Sequence, residues 1–141
     1  MAILYQKEDI SFPSIKRKAM SRWIKQVVER NNRRVGDITC IFCSDAKILE
    51  INRKYLKHDY YTDIITFDYT GNNQLSGDLF ISLDTVKTNS DKFKTNYDDE
   101  LRRVMIHGIL HLCGYNDSTK EEKEMIRIKE NESLKLWDNN L

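Results

Sequence analysis

Along residues 13–31 the apolar positions Ile15, Ala19, Trp23 and Val27 recur every fourth residue. That is the spacing of one buried stripe on an α-helix and predicts a helix from just after Phe12-Pro13 to about Asn31. Its other face is basic, with Lys16, Arg17, Arg22, Lys25 and Arg30. Residues 2–5 (AILY) before it read as a short strand. Residues 37–44 (DITCIFCS) after it, rich in β-branched side chains, read as another. Ser44 or Asp45 then caps a helix running to about Leu56. Two strand-like runs, 64–67 (IITF) and 79–81 (LFI), flank the turn-rich stretch Tyr69 to Gly77, the pattern of an antiparallel pair. The remainder is helical over about 83–94, 98–113 and 119–136. Gly114 is placed to end the middle helix, and Ser118 with Glu121 reads as a capping box opening the last. The expected fold class is α+β, with a small mixed, mostly sequential sheet of about four strands covered by about five helices. It forms a single domain over residues 1–141.

Composition narrows the setting. A chain of 141 residues, 40% hydrophobic, suits one domain that buries about two-thirds of its surface on folding. One Pro and five Gly exclude collagen-like or linker composition. Three cysteines make no disulfide framework without an odd thiol, which points to a reducing, cytoplasmic setting. The amino terminus reaches Lys7, Glu8 and Asp9 before an apolar run can build, so neither a signal peptide nor a membrane anchor is expected. The net charge of +1 speaks against bulk polyanion binding. The charge is unevenly spread, however. Residues 1–60 hold 13 Lys and Arg against 7 Asp and Glu, whereas residues 61–141 hold 10 against 15.

The candidate chemistry lies in residues 107–117 (HGILHLCGYND). Histidines at i and i+4 project from one helix face with Cβ atoms about 5–6 Å apart, so both rings can reach one ion. Gly114 lets the chain double back and offer Asp117 as a third ligand. Three protein ligands, His107, His111 and Asp117, with a fourth position left for water, describe a catalytic site for one Zn2+ at the carboxyl end of a helix. The spacing matches the zinc-protease pattern H-E-x-x-H-x-x-G-x-x-H except at two positions. At one of them Gly108 stands where the protease carries its general base, which disfavours peptide hydrolysis.

The same stretch resembles the H-G-x-L-H-L-x-G-Y-D-H signature of the YbeY endoribonucleases. Upstream blocks follow in order: Asn52 to Tyr55, Asp59, Thr62 to Phe67, and Gly77 to Ser82. The resemblance implies a cytoplasmic, zinc-dependent, single-strand-specific ribonuclease acting in 16S rRNA 3′-end maturation and ribosome quality control. Its partners would be ribosomal RNA precursor and the small ribosomal subunit, with no membrane and no DNA. Two positions depart from the family pattern. Asp117 stands where the third ligand is usually His, and Leu56 where many members carry a catalytic arginine. Arg103, one turn before His107, is the candidate replacement for stabilising phosphate charge, with Lys57 as runner-up.

On this reading zinc activates a water or polarises a phosphoryl oxygen for attack on an RNA phosphodiester. Arg17, Arg22, Arg33, Arg34, Lys54 and Lys57 are candidate backbone contacts. Tyr55, Tyr60 or Tyr61 can stack on unpaired bases. The competing readings are a metalloendopeptidase and a non-catalytic, zinc-stapled ribosome-associated module. His58 lies outside the histidine helix and is not expected to be a ligand. Cys40 and Cys43 fall on opposite faces of one strand, which suits core packing. Cys113 is also expected to be buried, and Asp63 and Asp78 are expected to make structural hydrogen bonds.

Overall fold

The computed structural model describes residues 2–57 and 62–138, with the side chain of Asp138 excepted. Elements run β1 (Ile3–Lys7), α1 (Arg17–Arg30), β2 (Arg34–Cys43), α2 (Asp45–Ile51), a π-helical turn (Asn52–Leu56), β3 (Ile64–Asp68), β4 (Gln74–Ser82), α3 (Leu83–Phe93), α4 (Tyr97–Leu112) and α5 (Lys120–Asp138). The four strands lie in the order β1-β2-β4-β3. β1, β2 and β4 are parallel, and β3 pairs antiparallel with β4. A parallel neighbour demands a crossover, and α1 supplies it between β1 and β2. The α+β class, the mixed four-stranded sheet and the five α-helices agree with the sequence pattern.

Several boundaries differ from expectation, three of them informative. The helix starting at Asp45 keeps regular geometry only to Ile51, then widens into the π turn and stops at Lys57 in a left-handed conformation (φ 55°). β4 begins five residues earlier than Leu79, because Gln74 and Leu75 pair with Arg34 and Val35 of β2. Pairing overrides the weak strand preference of Gln74, Ser76 and Gly77. The capping box of α5 is one residue further on. Glu122 Oε1 accepts from the backbone N–H of Thr119 (2.9 Å) and Ser118 (3.1 Å), and Thr119 Oγ1 accepts from the Glu122 N–H at 3.1 Å. Ser118-Thr119-Lys120-Glu121-Glu122 fits the box in two frames, and the structure uses the second.

The sheet separates two unequal cores. One face packs α1, α3, α4 and α5 over Ile38, Cys40, Phe42, Leu75, Leu79 and Ile81. Among the described residues, the other carries a smaller cluster of Cys43, Ile48, Ile51 and Ile65, with Phe67 and Phe80 packed against it. Cys40 and Cys43 therefore lie on opposite faces, as the strand period requires. α4 runs through the thicker layer with Leu101, Val104, Met105, Ile106, Ile109, Leu110 and Leu112 buried. Trp23 of α1 is fully buried, stacks edge-on against Trp137 of α5 at 5.6 Å, and donates its indole N–H to the Ser133 carbonyl at 2.6 Å. α4 is thus clamped on three sides and presents its remaining side outward.

Candidate metal centre

His107 and His111 occupy that outward side, with side chains 23% and 26% exposed. Between them, Gly108 faces inward. A Cβ at this position would meet Ile64 Cδ1 at 2.6 Å and Leu79 Cδ2 at 3.2 Å. The residue after the first histidine is glycine because α4 approaches the sheet there too closely for a side chain. A glutamate at this position would point into β3 and β4, away from the histidines.

The return of the chain to the histidines follows from how α4 ends. Gly114 is left-handed (φ 107°), its N–H donates to the His111 carbonyl at 3.0 Å, and the Tyr115 N–H donates to the Leu110 carbonyl at 3.1 Å. These paired bonds form a Schellman motif, which reverses the chain. The Tyr115 hydroxyl then donates to Asn31 Oδ1 at 2.7 Å, tying the reversed segment to the end of α1. Asp117 is carried back over the helix end as a result. Its Oδ2 lies 3.3 Å from both His107 Nε2 and His111 Nε2, and these two nitrogens are 3.0 Å apart.

Three donor atoms in such a triangle fit a small tetrahedral cation. An ion at about 2.0–2.1 Å from each ligand places them about 3.3–3.4 Å apart. The donor set, two imidazoles and a carboxylate, is of the kind zinc takes, and the 44% exposure of Asp117 leaves the outer side open to solvent.

A fourth residue, not among the candidates above, contacts the triangle. Glu130 of α5 is 5% exposed, and its Oε2 lies 2.7 Å from His107 Nδ1. A carboxylate only accepts, so Nδ1 carries the hydrogen and Nε2 of the neutral ring keeps its lone pair toward His111 and Asp117. Burial works to raise the pKa of Glu130, but hydrogen bonds from His107 and Arg103 outweigh it and hold the carboxylate below its usual range. Burial works to lower the His107 pKa, yet its bond to Glu130 and the charges of Glu130, Asp63 and Asp117 keep it above the usual histidine value. Asp63 is itself pushed up by burial, with His107 opposing. One signal for Glu130 was present in the sequence. Ile126, Glu130, Ser133 and Trp137 form the buried stripe of α5, and a charged residue in such a stripe requires partners.

The remaining candidates fall in different places. Arg103 shares the histidine side of α4, with Nη1 donating to Glu130 Oε1 and Nη2 to Asn131 Oδ1, both at 3.0 Å. Lys57 is exposed at the left-handed end of the π turn, next to Leu56, which is 41% exposed. Tyr55 is 59% exposed, with Lys54 Nζ 5.2 Å above its ring. Cys113 is half-buried, and burial raises its thiol pKa to about 11. Asp78 accepts from the Tyr69 hydroxyl at 3.4 Å, and the Asp63 carbonyl accepts from the Ser82 N–H at 2.9 Å. His58, Asp59, Tyr60 and Tyr61 lie outside the described residues.

Fold and site together define a small α+β protein with an open cluster of three donors, at the end of a core helix, that could hold a metal ion. The sequence profile of the family described as "Endoribonuclease YbeY" matches residues 3–138, and the chain belongs to that family. A relative named Endoribonuclease YbeY from Parabacteroides distasonis is 61% identical over 136 residues, covering 96% of each chain. One of the same name from Bacteroides fragilis is 59% identical, covering 96% of this chain and 98% of its own. The solution structure of a Thermotoga maritima protein superposes with a TM-score of 0.66 at 25% identity, covering 99% of this chain and 93% of that one.

Proposed function

We propose that the protein is a zinc-dependent endoribonuclease that cuts single-stranded RNA, acting in 3′-end maturation of 16S rRNA and in ribosome quality control in the cytoplasm. The observation that carries this reading is the open triangle of His107 Nε2, His111 Nε2 and Asp117 Oδ2, with edges of 3.0–3.3 Å, in a chain of the YbeY family. When bound there, zinc supplies Lewis acidity and a water whose pKa falls from about 15.7 toward about 7.

The chain's own residues do the rest. His107 and His111 project from a helix fixed by the core, and Asp117 is delivered by the Schellman turn. Arg103, beside His107 with its guanidinium held by Glu130 and Asn131, is the first candidate for the cation that meets a phosphate oxygen. Lys57, exposed next to Leu56 where many family members carry arginine, is the second. Tyr55, with Lys54 over its ring, offers a surface on which an unpaired base can stack. Peptide hydrolysis of the zinc-protease kind is disfavoured twice over, because Gly108 has no carboxylate and its position faces the sheet.

The test is His111→Ala, with zinc content and cleavage of a ribosomal RNA precursor measured together. Both are expected to be lost, and Asp117→Ala should weaken both. Undiminished cleavage by a zinc-free His111→Ala protein would overturn the reading.

A further inference from the structure

Glu130 belongs to α5, which supplies no metal ligand, yet its carboxylate is divided with a purpose that charge balance alone does not explain. Oε1 faces two guanidiniums, Arg103 at 3.0 Å and Arg127 at 3.6 Å. Oε2 is turned to His107 Nδ1 at 2.7 Å. Two arginines already compensate the buried charge, so the histidine contact is a choice of geometry. It sets which ring nitrogen carries the hydrogen and how the ring is rotated. A histidine that could rotate or exchange tautomers would hold the correct donor toward the ion only part of the time.

Resting on the metal-site reading above, we propose that Glu130 is the positioning residue of the metal centre. It holds His107 with Nε2 toward the ion, Arg103 steadies the carboxylate, and the docking of α5 thereby sets metal affinity. Because linkage between two equilibria is reciprocal, a bound ion must also tighten α5 against α4. The final helix then serves as part of the metal site without touching the metal. Trp137 of α5, stacked on Trp23 of α1, adds an apolar contact that holds the same helix in place.

The experiment compares zinc affinity, by competition with a chromophoric chelator, in the full-length wild type, Glu130→Gln and Glu130→Ala, alongside thermal unfolding of each metal-free protein. Loss of this support is expected to weaken zinc binding by about 10–100-fold in Glu130→Ala. Glu130→Gln has the same volume, but its amide can present an oxygen to only one of His107 and Arg103, so a loss of about 10-fold is expected. Hydrogen exchange of the α5 amides should slow on adding zinc to the wild type and respond far less in Glu130→Gln. A purely structural Glu130 would lower the stability of the metal-free protein and leave the zinc affinity within twofold of wild type, which overturns the proposal. If Glu130→Ala fails to fold, Glu130→Gln decides by the same criterion. A wild type that binds no zinc at all would overturn the metal-site reading itself, an outcome separable from equal binding by wild type and variant.

Discussion

The two faces of the sheet do different work. The face beneath α1, α3, α4 and α5 is deep, and its packing holds α4 so firmly that two histidines can be aimed outward from it. The face beneath α2 is shallow, with a buried cluster of Cys43, Ile48, Ile51 and Ile65, and the chain leaves it through the π turn that carries Tyr55 and Lys57. The candidate metal donors are thus mounted on the rigid side, whereas Tyr55 and Lys57 of the candidate RNA contacts sit at the edge of the thin side and Arg17, Arg22 and Arg103 belong to helices of the deep one. A metal donor triangle tolerates little displacement, whereas a polynucleotide strand can be met by exposed side chains that adjust.

Stability measurements can break this contrast. Trp23→Ala removes the largest fully buried side chain of the deep face and is expected to cost about 3–5 kcal/mol by denaturant unfolding. Ile48→Ala, in the shallow cluster, should cost about 2–3 kcal/mol, because a site with few neighbours collapses more readily around the gap. Equal losses would mean that the two layers are equally committed. A smaller effect, about 1–2 kcal/mol, is expected for Gly108→Ala, whose new methyl group must displace Ile64 and Leu79. A neutral result there would show that α4 can lift from the sheet, against the rigidity assigned to it.

The smallest effect concerns thiol chemistry. Burial raises the pKa of Cys40 and Cys43 to about 12 and that of Cys113 to about 11, so the thiolate is scarce at pH 8 in the folded protein. Alkylation by iodoacetamide should be slow on all three, with Cys113 reacting first and its rate rising with pH toward 11. Rapid labelling of Cys40 at pH 8 would reveal opening of the deep face.

What the sequence disclosed, and what it withheld, divides along locality. The i, i+4 histidines, the helix-ending glycine and Asp117 sit within eleven residues, and backbone geometry over so short a span is nearly determined by residue type. The long periodic helices were legible for the same reason. Glu130 was not, because its partner lies 23 residues earlier and only the packing of α5 on α4 brings the two together. Arg103's place on the histidine face was legible, but its partners, 27 and 28 residues away, were not. The early start of β4 needed β2 beside it. Local pattern also left two frames for the α5 capping box, of which the structure uses the one closed by Thr119 and Glu122.

The hydrogen bond from Tyr115 to Asn31 spans 84 residues. The ligand triangle closes a loop short enough to form in well under a microsecond, so its three donors can meet while most of the chain is still unstructured. Fixing that loop in place must wait for α1 and α4 to come together, a contact of high sequence separation and correspondingly slow formation. An ion captured early by the nascent hairpin would be held loosely until this late clasp engages. The Tyr115–Asn31 bond thus ties the completion of the donor triangle to a contact made far away in the sequence.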